Sequence, residues 1–197
     1  MNVLEGLALL HERGILHRDL KTANVFLCGD GFKIGDMNVS KVQEEETELA
    51  FTQTGTPYYA SPEIWRDEPY GPKADIWSYG CLLYEMCTFR PPFEGNDMQS
   101  LFKSIRKGKY PPLPSIYSQH LADFIALCLV RKVEDRPSAQ KLLNLRIVSI
   151  KSEEYAIPRS RHCHFKLLKA IKFEDGDSPA LPASCYEPQN PKKFYTE

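Results

Sequence analysis

The sequence predicts a mainly α fold of the α+β kind, a helical core with small β-hairpins along one edge. Three observations point there. Lys73–Thr88 carries Ala74, Ile76, Trp77, Tyr79, Cys81, Leu82, Leu83, Tyr84 and Met86, apolar on nearly every side, which suits the central helix of a core. Leu4, Leu7, Ala8, Leu10 and His11, and later Leu121, Phe124, Ile125, Leu127, Cys128 and Leu129, recur at helical spacing. Between the first and the central helix, Val25–Cys28 and Phe32–Ile34 flank Gly29-Asp30-Gly31, and Asp-Gly between apolar runs is a strong hairpin signal.

Taken in order, helix one occupies the first residues and Gly14 ends its pattern. Ile15-Leu16 is a short extended lead into the polar loop His17–Asn24, and the hairpin follows. Gly29 and Gly31 lack a third glycine and a following helix, so they read as a turn and not as a phosphate cradle. Arg90-Pro91-Pro92-Phe93 ends the central helix, and Asp97 is a candidate cap for a helix running to Gly108. Tyr110–Pro114 is a proline-rich linker, and Ser138 caps a last helix holding Leu142, Leu143 and Leu145. From about Ile147 the texture changes. Pro158, Pro179, Pro182, Pro188 and Pro191 interrupt any long element, so residues 148–197 read as a largely irregular tail behind a domain at 1–147. Within it, Phe165–Phe173 reads equally well as a short docking helix or as a sticky irregular segment.

The 197 residues are 42% hydrophobic and 26% charged, as in an ordinary soluble globular protein. A formal net charge of −1 gives no overall field for nucleic acid or acidic membranes, so neither is expected as a partner. No apolar run approaches membrane-spanning length, and the start lacks the order of a signal peptide. None of the six cysteines sits in a C-x-x-C pair, which favours reduced thiols in a cytosolic protein, with Cys28, Cys81 and Cys128 in apolar runs. His162-Cys163-His164 lacks the second ligand pair of a metal site. Glu44, Glu45, Glu46 and Glu48 read as a solvated loop.

The chemistry is concentrated in His17-Arg18-Asp19-Leu20-Lys21-Thr22-Ala23-Asn24. A carboxylate, an ammonium and a carboxamide fall within eight residues and run into an apolar strand that can serve as a rigid mount. The grouping suits phosphoryl transfer. Asp19 can accept the proton of an attacking hydroxyl, Lys21 can balance γ-phosphate charge, and Asn24 can offer its amide oxygen to Mg2+. The order H-R-D-L-K-x-x-N resembles the catalytic loop of eukaryotic protein kinases, and Lys21 matches the serine/threonine class.

Downstream landmarks extend the resemblance. Gly35-Asp36-Met37-Asn38 stands where the family has D-F-G; Asp36 keeps the carboxylate that would hold Mg2+, while Met37 and Asn38 depart from the pattern and put its usual switching in doubt. Together with Gly55-Thr56-Pro57-Tyr58-Tyr59-Ala60-Ser61-Pro62-Glu63, this segment is similar to the NIMA-related kinases. The resemblance implies that Phe26 is the apolar floor beneath adenine, with Lys21, Asn24 and Asp36 completing the nucleotide site. It implies that Thr56 faces the substrate, that Thr52 carries the activating phosphate opposite Arg18, and that Thr54 is a lesser second site. His17 and Arg18 frame the loop. Glu63 is expected to form a buried ion pair with Arg136, and Asp75, costly in an apolar helix unless bonded, to tie back to the loop.

The resemblance covers residues 1–147, the larger lobe of a kinase. No G-x-G-x-x-G before a strand, V-A-I-K-type lysine or partnering helix acid occurs, so the small ATP-clamping lobe is expected to be missing. Apolar surface is then expected around Met1, Val3, Phe26 and Met37. Two functions remain open: a serine/threonine kinase using ATP and Mg2+ on protein hydroxyls, and a catalytically inactive lobe that serves as an interaction module. Family resemblance suggests a cytoplasmic protein with cytoskeletal, centrosomal or ciliary association, and a regulatory protein partner.

Overall fold

The structure, a computed structural model, describes residues 1–29, 31–36, 41–42 and 57–154. The expectations for Met37, Asn38, the acidic run, Thr52, Thr54, Thr56 and the tail patch at Phe165–Phe173 lie outside these residues.

Helix α1 (Asn2–Glu12) leads through Gly14 into β1 (Ile15–Leu16), and the loop with its 3-10 turn at Thr22–Asn24 follows. Strands β2 (Val25–Cys28) and β3 (Gly31–Ile34) pair antiparallel with Val25 opposite Ile34 and Cys28 opposite Gly31, the register that a two-residue Gly29-Asp30 connection imposes. β1 pairs antiparallel with β4 (Lys41–Val42), a two-residue partner too short to carry any periodicity. The helices α2 (Pro62–Trp65), α3 (Pro72–Thr88), α4 (Met98–Lys107), α5 (Gln119–Cys128), α6 (Ala139–Leu143) and α7 (Arg146–Glu154) complete the order. Helix α7 carries regular structure past residue 147, where the composition changes, and Val148 is buried.

Helix α3 is the axis of the core, as its all-round apolar composition requires. On one side Ile76, Tyr79 and Leu82 join Val3, Leu4 and Leu7 of α1 and Leu142 of α6. On the other, Trp77, Cys81 and Tyr84 meet Phe93, Leu101, Ile105 and Ile125. Trp77 and Phe93 are fully buried and stack with centroids 5.4 Å apart, so truncating either would cost about 3–5 kcal/mol. Gly80 lets α3 and α5 touch: a Cβ there would stand 2.7 Å from Cys128 Cβ. Burial pushes the Cys128 thiol up to about 12 and raises Cys81 as well, so both behave as core hydrophobes; Cys28 is only half-buried.

The exposed-surface expectation holds at Phe26 but not at Val3, and Met1 is half-buried. Val3 is buried, because α1 turns it toward Ile34 and the core, whereas Phe26, Leu27 and Phe32 of the hairpin are exposed. Asp97 caps α4 in a reciprocal box with Ser100, and Ser118 and Ser138 cap α5 and α6. Among the described residues no helix is long and apolar enough to cross a membrane.

Candidate active site

The loop hangs from a single buried carboxylate. Asp75, in the first turn of α3, accepts the backbone N–H of His17 and of Arg18, both at 2.9 Å, and lies 2.8 Å from His11 Nε2. These bonds hold Arg18 at φ +70, a left-handed conformation that an L-residue keeps only where its surroundings over-determine it. Leu20 then plunges into the core between α1 and α3, with Asp19 and Lys21 on either side half-exposed.

Two side chains converge on Asp19 through three hydrogen bonds. Lys21 Nζ donates to Oδ2 at 2.7 Å, and Asn24 Nδ2 donates to the backbone oxygen at 2.8 Å and to Oδ2 at 3.0 Å. With Lys21 29% and Asp19 34% exposed, the ion pair is worth under about 1 kcal/mol, so its effect is orientation. Oδ2 is engaged, and Oδ1 has no hydrogen bond among the described residues.

The hairpin brings in the second carboxylate. Gly35 N–H donates to the Asn24 carbonyl at 2.9 Å, which ties the residue before Asp36 to Asn24 at the open end of β2–β3. Phe26 lies against Gly35 so closely that a Cβ there would meet its ring at 2.5 Å. His17 Nε2 donates to the Gly35 carbonyl at 3.1 Å, and its buried Nδ1 has no partner among the described residues. Burial holds the His17 imidazole below its ordinary value, with Asp75 opposing, so the ring stays neutral. Asp36 is exposed at φ +57. A carboxamide oxygen and a carboxylate are hard donors of the kind Mg2+ takes, with phosphate oxygens and water completing its shell. The residues fit that ion.

Serine/threonine-protein kinase Nek4 of Mus musculus is 45% identical over 144 residues, 73% of this chain and 18% of the relative. Serine/threonine-protein kinase Nek1 of Mus musculus is 39% identical over 177 residues, 89% of this chain and 15% of its own. The G2-specific protein kinase nim-1 of Neurospora crassa is 47% identical over 172 residues, covering 85% and 20%. The family model of the protein kinase domain matches residues 1–148. This chain belongs to the protein kinase family, in its NIMA-related branch. It spans a fifth or less of the length of these three relatives.

A buried ion pair ties α2 to the residues before α6. Glu63 at the start of α2 and Arg136 before α6 are 1% exposed and bonded bidentately at 2.7 and 3.0 Å. Arg136 further donates to Val130 O and Lys73 O, and its guanidinium lies 5.2 Å over the Trp77 ring. Burial alone would raise the Glu63 carboxyl, but the Arg136 bonds and charge outweigh it and hold the group below its ordinary range.

Sequence reasoning missed a second polar relay. Tyr59 donates its hydroxyl to Glu85 of α3 and lies 3.2 Å from Thr22 Oγ1, while Ser78 donates to the Tyr59 carbonyl at 2.9 Å. Burial first, then the Glu85 hydrogen bond, pushes the Tyr59 phenol up to about 12, so it remains a donor. Tyr70 was missed as well: its hydroxyl accepts from Arg18 Nη2. Neither tyrosine has a local spacing that points to a partner 26 or 52 residues away.

Proposed function

We propose that these residues form the larger lobe of a serine/threonine protein kinase, which moves the γ-phosphoryl group of ATP to serine or threonine hydroxyls of proteins. The observation that carries the reading is the convergence on Asp19, where Lys21 and Asn24 fix one carboxylate oxygen and leave the other for a substrate hydroxyl. Asp19 takes the proton as that hydroxyl oxygen bonds to the γ-phosphorus and the bond to the departing ADP breaks. Lys21 would balance charge on the transferring oxygens, Asn24 and Asp36 would hold the metal, and Phe26 would form the apolar floor of the adenine site. Bound Mg2+ would neutralise the phosphates. Thr56 would position the substrate, with Thr52, and less so Thr54, as the site of an activating phosphate met by Arg18.

The 197 residues hold no G-x-G-x-x-G loop and no strand lysine of the V-A-I-K type, so the reading requires an ATP-clamping lobe from other residues. The test fuses the chain behind the small lobe of a NIMA-related kinase and follows phosphate transfer to a serine- and threonine-containing protein. Transfer that falls about 10²–10⁴-fold in Asp19→Asn supports the reading. Transfer equal in both forms, or absent from a folded fusion, removes it in favour of an interaction module.

A further inference from the structure

Arg18 offers a two-donor edge of which one half is taken. The Nε–H and one Nη2–H of a guanidinium point the same way, and two oxygens of one carboxylate or phosphate engage both together. Here Nη2 donates to the Tyr70 hydroxyl, and the Tyr70 ring centroid lies 5.1 Å from the guanidinium carbon. The Nε of that same edge is buried and has no hydrogen-bond partner among the described residues. One hydroxyl oxygen fills one donor and leaves its neighbour short, a disfavoured state for a buried N–H. Arg18 and Tyr70 are 52 residues apart, Tyr70 standing in the connection between α2 and α3.

We propose that Tyr70 is a placeholder on the oxyanion edge of Arg18, and that a phosphate arriving there displaces its hydroxyl. The inference rests on the reading of Arg18 as the receiver of the activating phosphate. The exchange needs no movement of the loop backbone, because the Arg18 N–H is held separately by Asp75 at 2.9 Å. The incoming group is favoured by charge: a phosphate oxygen accepts more strongly from a guanidinium than a neutral phenol does, and fills Nε as well. The Tyr70 ring can remain beneath the cation throughout, held by its π face. Tyr70 thus sets how much phosphate is needed to occupy Arg18, holding the edge in order until it comes.

The test titrates the 197-residue chain with O-phosphothreonine and follows carbon-13 label at the tyrosine Cζ by NMR. In the wild-type protein the Tyr70 Cζ resonance should move with saturation, and Tyr70→Phe, which keeps the ring and removes the competitor, should bind roughly three- to tenfold more tightly, the range one net hydrogen bond covers. Arg18→Met should abolish saturable binding. Unchanged or weaker binding by Tyr70→Phe, or a Tyr70 resonance that does not move, overturns the competition while leaving Arg18 as receiver. Binding by Arg18→Met equal to wild type overturns the receiver reading itself.

Discussion

The support of the His17–Asn24 loop and its proposed working face are built in opposite ways. Behind the loop, Asp75, His17, Glu63 and Arg136 are almost fully buried, and each carboxylate accepts two or more hydrogen bonds. In front of it, Asp36 is exposed, Phe26 is 40% exposed, and the Asp19–Lys21 pair is open to water. Polar groups in a core are mostly satisfied by the protein, His17 Nδ1 being an exception here, whereas groups that meet a ligand are left partly unsatisfied. The difference separates residues whose loss should unfold the lobe from residues whose loss should silence it.

The sharpest break on the support side is Glu63→Gln. It leaves the Arg136 guanidinium buried without its counter-charge, and we expect a loss of about 3–5 kcal/mol in urea unfolding. A loss below about 1 kcal/mol would mean that the pair behaves like a surface bridge.

A smaller, pH-dependent effect is expected at His17. Its imidazole sits below the ordinary value of 6.5 and its Nδ1 has no acceptor, so the folded state resists protonation. The folded chain therefore binds fewer protons than the unfolded one. The stability contribution is full above about pH 6.5 and falls as the pH drops below it. Unfolding free energies measured from about pH 7.5 down to about pH 5.5 should decline, and His17→Gln should flatten that decline. An equal slope in both proteins would move the titration elsewhere.

The same contrast explains what could be read from the sequence. The loop motif, the Asp-Gly hairpin, the apolar α3 and the Asp97 cap all follow from residues within a few positions of one another. The belonging to NIMA-related protein kinases, inferred from those motifs, is borne out by the family match. What escaped notice is long-range or brief. Tyr70 and Tyr59 act through hydroxyls whose partners lie far along the chain. The four-residue α2 and the two-residue β4 are too short for any period. Two of the positive φ angles fall at the site on Arg18 and Asp36, which are not glycines. Helix α7 crosses position 147 because no proline or glycine stands between Arg146 and Glu154 to break it.

The smallest effect on stability belongs to the working face, and there the account is most exposed to test. Asp36→Asn keeps the size and the tolerance for a left-handed backbone while removing the charge proposed to hold the metal. Measured in the fusion with an ATP-clamping lobe, it should leave the unfolding free energy in urea within about 0.5 kcal/mol of wild type. Phosphate transfer should meanwhile fall by at least about a hundredfold, the scale set by losing a group that stabilises transition-state charge. Transfer at the wild-type rate, or a loss of transfer that merely follows a loss of folding, would contradict the division between a buried support and an exposed site of chemistry.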